Sequence, residues 1–193
     1  MTNMNTPQTW FALQTRPRSE RKIDSLLRQK GYECLAPTYR QKRKWSDRMV
    51  EIEAPLFPTY IFCCLSSSAM GKVVSTPGVV RIVGFGGRPA EVAAEEIEAL
   101  QHLVESNCLR EPWRYIPEGT HVVVENGPMA GVQGIICQDA DRKRLVISVT
   151  LLQRSVAVRL EETTSISIIT VPGINNYGRG AEADLAIRLL RRN

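Results

Sequence analysis

A chain of 193 residues with 43% hydrophobic side chains can build one medium core or two small ones, and two small domains fit its organisation. No apolar run approaches the roughly 18 residues needed to span a bilayer, and the start, MTNMNTPQTW, lacks the apolar centre of a secretory signal, so a cytoplasmic protein is expected. The net charge of +5 is uneven: residues 1–50 carry 11 Lys/Arg against 4 Asp/Glu, residues 51–112 carry 4 against 8, and residues 113–193 carry 10 against 8, which favours a polyanionic partner at the N-terminal end.

In chain order, TWFALQ (9–14) reads as a buried strand. A helix follows, with Pro17 suited to its first position, Ile23, Leu26 and Leu27 on one side, Arg18, Arg21 and Arg28 opposite, and Gly31 placed to end it. YECLAPTY (32–39) is extended, and RQKRKWSDR (40–48) running into the alternating MVEIEAP (49–55) predicts a basic hairpin. YIFCCL (60–65) is a strand, SSSAMGKVVSTPG a short helix with a Pro-Gly stop, VVRIV (79–83) a strand and GFGGRP a turn. Ile97, Leu100, Leu103 and Val104 line one face of a helix over roughly 93–106. This order is α+β, the ferredoxin-like βαββαβ pattern with one helix added.

The segment SNCLREPWRYIPEG (106–119) has two prolines and no periodicity, which marks a boundary, although Trp113 and Tyr115 suit a docked segment better than a free linker. Beyond it lie about five short β-branched segments, with Asn126-Gly127-Pro128 and Asp139-Ala140-Asp141 as the clearest turns, and this predicts a small five-stranded barrel. The expected organisation is a first domain over 8–106, a linker over 107–118, a barrel over 119–169 and a tail over 170–193, loose or ending in a short helix.

Little in the sequence suggests catalysis. Cysteines 34, 63, 64, 108 and 137 form no zinc-spaced cluster and read as reduced, mostly buried thiols. His102 and His121 have no nucleophile or carboxylate relay nearby in sequence, GFGGRP lacks phosphate-loop spacing, and Glu95, Glu96 and Glu98 are explained by a helix N-terminus. No enzyme, no cofactor and no metal is expected. The informative anomaly is that TWFALQ and TYIFCCL are apolar at both parities, whereas the helices of a βαββαβ sheet cover only one face. The added helix, the second domain or another protein must cover the other, and Trp10 and Tyr60 read equally as core or as a docking face.

TWFALQTRP, ECLAPTY, EAPLFPTYIF, STPGVVRIVGFGGRP and EEIEAL together resemble the N-terminal (NGN) domain of the NusG family of transcription elongation factors. EGTHVVVENGPMAGVQGII followed by LVISVTLLQRSVAVRL is similar to that family's C-terminal KOW barrel, an SH3-like fold. The likeness spans about 10–168 in the family's order, and CLAP and PLFPTYIF look closest to specialised paralogs of the RfaH and capsule-operon type. The resemblance implies that Trp10, Phe57, Pro58 and Tyr60 dock on the clamp helices of the largest RNA polymerase subunit, with Thr59 standing where general members carry glycine. It implies that Arg16, Arg18, Arg21 and Lys22 lie near the non-template strand, and Arg40, Lys42, Arg43, Lys44 and Arg48 near upstream DNA, with Trp45 either stacking on a base or packing on its own hairpin. In the barrel it implies a contact site for Rho or a ribosomal protein at Leu152 and Arg154, with leucine in place of an exposed phenylalanine. The expected protein is a monomeric pause- and termination-suppressing factor on specific operons. A general factor assisting Rho, and an RNA-binding KOW protein of ribosome assembly, are the alternatives. The β-branched density at 120–126 and 145–149 speaks against a stable helical form of the barrel.

Overall fold

The computed structural model describes residues 8–116, 119–139 and 142–169; the expected tail helix and the turn at Asp139-Ala140-Asp141 fall wholly or partly outside them. The first half runs β1 (Thr9–Thr15), α1 (Glu20–Gln29), β2 (Glu33–Leu35), β3 (Thr38–Trp45), β4 (Arg48–Pro55), β5 (Tyr60–Leu65), α2 (Met70–Val74), β6 (Val79–Ile82), β7 (Gly84–Phe85), β8 (Arg88–Pro89) and α3 (Ala94–Glu105). Its main sheet has the order β2-β5-β1-β6 with antiparallel neighbours, the ferredoxin-like arrangement. The β3–β4 ribbon and the short β7–β8 hairpin are separate two-stranded sheets.

Local sequence accounts for most element ends. Helix α1 begins three residues later than Pro17 suggests, because Arg18 turns the chain at φ 61 and Ser19 becomes the cap. It ends as expected: Gly31 adopts φ 86, and the Tyr32 N–H returns to the Leu27 carbonyl at 3.0 Å. The chain after β8 is fastened to β1, since Glu91 bridges Phe11 and the Val92 N–H donates to the Trp10 carbonyl at 2.8 Å. That fastening delivers α3 to the sheet.

The second half runs β9 (Arg110–Trp113), β10 (His121–Val124), β11 (Gln133–Asp139), β12 (Arg142–Val149), β13 (Arg154–Arg159) and β14 (Ile166–Ile168), in the order β14-β10-β11-β12-β13-β9. Among the described residues the barrel therefore has six strands where five are expected. The extra one, β9, comes from the stretch read as linker. Its Pro112 weakens the strand signal in sequence, yet proline is tolerated at a sheet edge, and β9 is an edge. Segments 120–126 and 145–149 contribute the strands β10 and β12.

Two apolar layers sandwich the first sheet. On one face Phe11, Leu13, Ile61 and Cys63 pack with Ile23 and Leu27 of α1 and Val73 of α2. On the other, Ala12, Leu56, Phe57 and Phe62 join Ile97, Leu100 and Leu103 of α3 in a cluster that continues into Val124, Leu145, Ile147 and Val156 of the barrel. Both the added helix and the second domain thus cover the second face. The cysteines depart from expectation: only Cys34 and Cys63 are buried, while Cys64, Cys108 and Cys137 are half-buried.

Phe57, expected to be at least partly exposed for docking, is instead 1% exposed and packs edge-on against Phe62, with ring centroids 5.4 Å apart. Its ring is sealed between sheet and α3 layer as core. Phe57→Ala is therefore a stability variant, expected to cost about 3–5 kcal/mol in chemical denaturation; a change under about 1 kcal/mol would mean the ring is not packed as described.

Candidate functional site

The turn between β4 and β5 is pinned on three sides. The Leu56 N–H donates to the Pro37 carbonyl at 2.9 Å and the Tyr60 N–H to the Phe57 carbonyl at 3.0 Å, closing a tight turn. Thr59 sits at φ 69, a left-handed conformation that strains a β-branched residue, and this is the position where the resemblance expects glycine. Two bonds hold it there: the Thr15 N–H donates to the Thr59 carbonyl, and the Thr59 N–H donates to Oε1 of the buried Glu20, each at 2.8 Å. Glu20 lies in the first turn of α1, where a carboxylate also meets the positive helix end. Nothing in the sequence links residues 39 positions apart, so this brace is legible only in three dimensions.

The turn places Pro58 on the surface, while Tyr60 and Trp10 lie half-buried on one sheet face, on either side of the Ala12–Phe62 pair. The barrel closes over Tyr60 and Pro58. The Arg154 guanidinium carbon lies 5.0 Å from the Tyr60 ring centroid, and its Nη1 donates to the Pro58 carbonyl at 3.2 Å. Nearby, the Thr150 N–H donates to Glu96 Oε1 at 3.0 Å. Leu152 is half-buried against the shared core, and Gln153, at φ 51, turns the chain into β13. The structure thus brings together two groups of residues that the sequence places far apart: the aromatic segment and the barrel loop with Leu152 and Arg154 cover each other.

The basic residues sit apart from this seam. Arg16, Arg18, Arg21 and Lys22 are exposed around the start of α1, and Arg40, Lys42, Arg43, Lys44 and Arg48 are exposed along the β3–β4 ribbon. Strand alternation divides the ribbon. Arg40, Lys42 and Lys44 share one side with Glu53 and Glu51, their cross-strand neighbours being Glu53, Glu51 and Met49. Glu53 also pairs with Arg21, and Arg40 reaches Glu51 at 3.6 Å, so two carboxylates offset part, but not all, of the charge of Arg40, Lys42 and Lys44 on this side. Arg43, Trp45 and Arg48 share the other side with Val50 and Ile52, without an acidic neighbour across the ladder. Trp45 is 54% exposed, so it is not consumed by packing on its own ribbon.

The buried thiols offer little reactivity. Cys34 and Cys63 are a hydrogen-bonded pair 3.4 Å apart, and that bond, with burial, pushes the Cys63 thiol well above its ordinary range. Among the described residues no group of three or more His, Cys, Asp or Glu side chains could hold a metal ion. No helix among them is long and apolar enough to cross a membrane.

Residues 8–101 match the family described as transcription termination factor nusG. The transcription termination/antitermination protein NusG of Campylobacter jejuni is 25% identical over 163 residues, spanning 78% of this chain and 92% of its own. Among solved structures, one of Thermotoga maritima NusG, concerned with domain interaction, is 22% identical, covers 84% of this chain and 98% of its own, and superposes with a TM-score of 0.47. An MjSpt4:Spt5 complex is 16% identical, with 83% and 98% covered and a TM-score of 0.29.

The brace at Thr59 yields two expectations for thermal or chemical denaturation. Thr59→Gly relieves the left-handed strain and should raise stability by about 0.5–1 kcal/mol. Glu20→Ala orphans the Thr59 N–H and should lower it by about 1–3 kcal/mol. A Thr59→Gly variant less stable than the parent would show that the side chain, rather than the backbone bonds, holds the turn.

Proposed function

Residues 8–101 belong to the NusG family, and on that premise we propose that this chain is a cytoplasmic elongation and antitermination factor that docks on the RNA polymerase clamp helices through Trp10, Pro58 and Tyr60. The family consists of transcription elongation and termination factors rather than enzymes. Phe57 contributes from beneath, by holding the turn in shape, rather than as a contact residue.

The observation that carries this reading is the cover over Tyr60. At its rim the cover is polar: one cation–π contact, worth about 0.5–2 kcal/mol, and one hydrogen bond, worth about 0.5–1.5. An aromatic side chain buried against a partner is worth about 1.5–3 kcal/mol by itself. A partner offering apolar pockets to Trp10 and Tyr60 can therefore compete with the barrel at this margin, provided that it also replaces the apolar cover the barrel gives the shared core. Displacement would uncover the docking face and the loop carrying Leu152 and Arg154 in one step, leaving that loop for Rho or a ribosomal protein. The ribbon then supplies DNA contact through the side carrying Arg43, Trp45 and Arg48, where positive charge is not spent on neighbouring glutamates.

Added to transcription in vitro across a terminator, the protein should increase read-through; increased Rho-dependent release would assign it instead to the general type that assists Rho. In capture of core polymerase, Tyr60→Ala should lose binding about tenfold or more while Arg154→Ala should strengthen it, and wild-type capture by Tyr60→Ala would defeat the docking proposal. For upstream DNA, Arg43→Glu should flatten the logarithmic salt dependence by about one contact and Lys42→Glu by less. Equal effects would remove the two-sided reading of the ribbon.

A further inference from the structure

Strand β9 links the two halves and is bonded to both. On the barrel side it pairs with β13 from Ser155–Trp113 to Val158–Arg110, and the Arg159 N–H donates to the Leu109 carbonyl at 3.1 Å. Arg144 of β12 pairs with Glu111 and stacks on Trp113, its guanidinium carbon 4.6 Å from the ring centroid. Trp113 and Ile116 cover a small apolar cluster of Ile135, Val146 and Ala157. On the other side β9 lies beside β3, and the hydrogen bonds come from one residue, Arg110. Its Nε donates to the Thr38 carbonyl at the root of β3 and its Nη1 to the Leu103 carbonyl of α3, both at 2.8 Å.

We infer that β9 is mechanically part of the barrel and acts as a strap that keeps the barrel on a short leash. The inference rests on the barrel's leaving the docking face, as proposed above. A ladder, an ion pair, a cation–π contact and an apolar patch hold β9 to the barrel, against two bonds from a single guanidinium to the first domain. When the barrel moves, β9 goes with it and Arg110 releases Thr38 and Leu103. The tether left between α3, ending at Glu105, and the first barrel-bonded residue, Leu109, is then residues 106–108. Such a tether reaches only ~10 Å at ~3.3–3.6 Å per residue. Were β9 to peel away, the tether would be residues 106–120 and could reach ~50 Å. With the strap in place the barrel swings aside rather than drifting off, so whatever it holds stays beside the docking face. Releasing Thr38 also loosens the root of the β3–β4 ribbon, which couples barrel movement to the element proposed to meet DNA.

Hydrogen exchange of the full-length protein tests the strap without reference to polymerase. The amides of Glu111 and Trp113, which face β13 in the ladder, should exchange in step with those of β13; exchange at the rate of unstructured chain while β13 stays protected would overturn the inference. Small-angle scattering supplies the second measurement. Glu96→Ala with Arg154→Ala, which removes two polar contacts between the halves, should extend the maximum dimension by no more than ~10 Å. Adding Trp113→Ser and Glu111→Lys should extend it clearly further, and identical dimensions for the two sets of variants would also overturn the inference. Capture of polymerase by the same variants reports on docking separately: a failed strap with capture intact counts against the strap alone.

Discussion

A four-stranded sheet whose two central strands are apolar on both faces has to be covered twice, and most of this structure follows from that requirement. Helices α1 and α2 satisfy one face because the βαββαβ order puts them there. The other face, with Ala12 and Phe62 at its centre, is satisfied by α3 and then by the barrel. The cover is graded. At the centre Phe57, Phe62 and Leu100 are sealed as tightly as any core, whereas at the margin Trp10 and Tyr60 are half-buried, and Tyr60 is met by the Arg154 guanidinium. A firm centre with a soft margin lets one surface serve folding and recognition at once.

The same separation applies to charge. The ribbon carries its positive residues on both sides, but the acidic residues of β4 fall on one side only, because the side chains of a strand alternate. Counting lysines and arginines in 40–48 therefore overstates the field available to a polyanion on one side and understates the asymmetry between the two. Exposed ion pairs such as Arg40 with Glu51 contribute little to stability. Their larger effect is to offset part of the charge on the side with Arg40, Lys42 and Lys44, whereas Arg43 and Arg48 meet no carboxylate across the ladder.

What the sequence made legible was set by periodicity. Both-parity apolar strands, a helix stopped by Gly31, and the alternation of MVEIEAP are local signals, and the elements they describe are present in the expected order. The failures are non-local. Phe57 looked like Tyr60 in sequence, three residues away in one turn, and only the placement of α3 separates a core ring from a marginal one. Strand β9 was hidden by Pro112, by charged neighbours and by its brevity. Its identity depends on pairing with β13 more than 40 residues later, which no window of local sequence contains. The Glu20–Thr59 brace and the Arg154–Tyr60 contact were invisible for the same reason, whereas the basic start of α1 needed only a helical wheel.

Pro112 has a further effect through its position. Sheet rims with a free row of N–H donors can recruit a strand from another molecule and seed aggregates. The rim formed by β9 is four residues long, and one of the four has no N–H to offer. Were β9 absent, the longer and donor-complete β13 would lie at the margin in its place. The proline that disguises the segment as a spacer thus gives the sheet a blunt selvedge, discouraging one copy of the protein from stitching itself to the next.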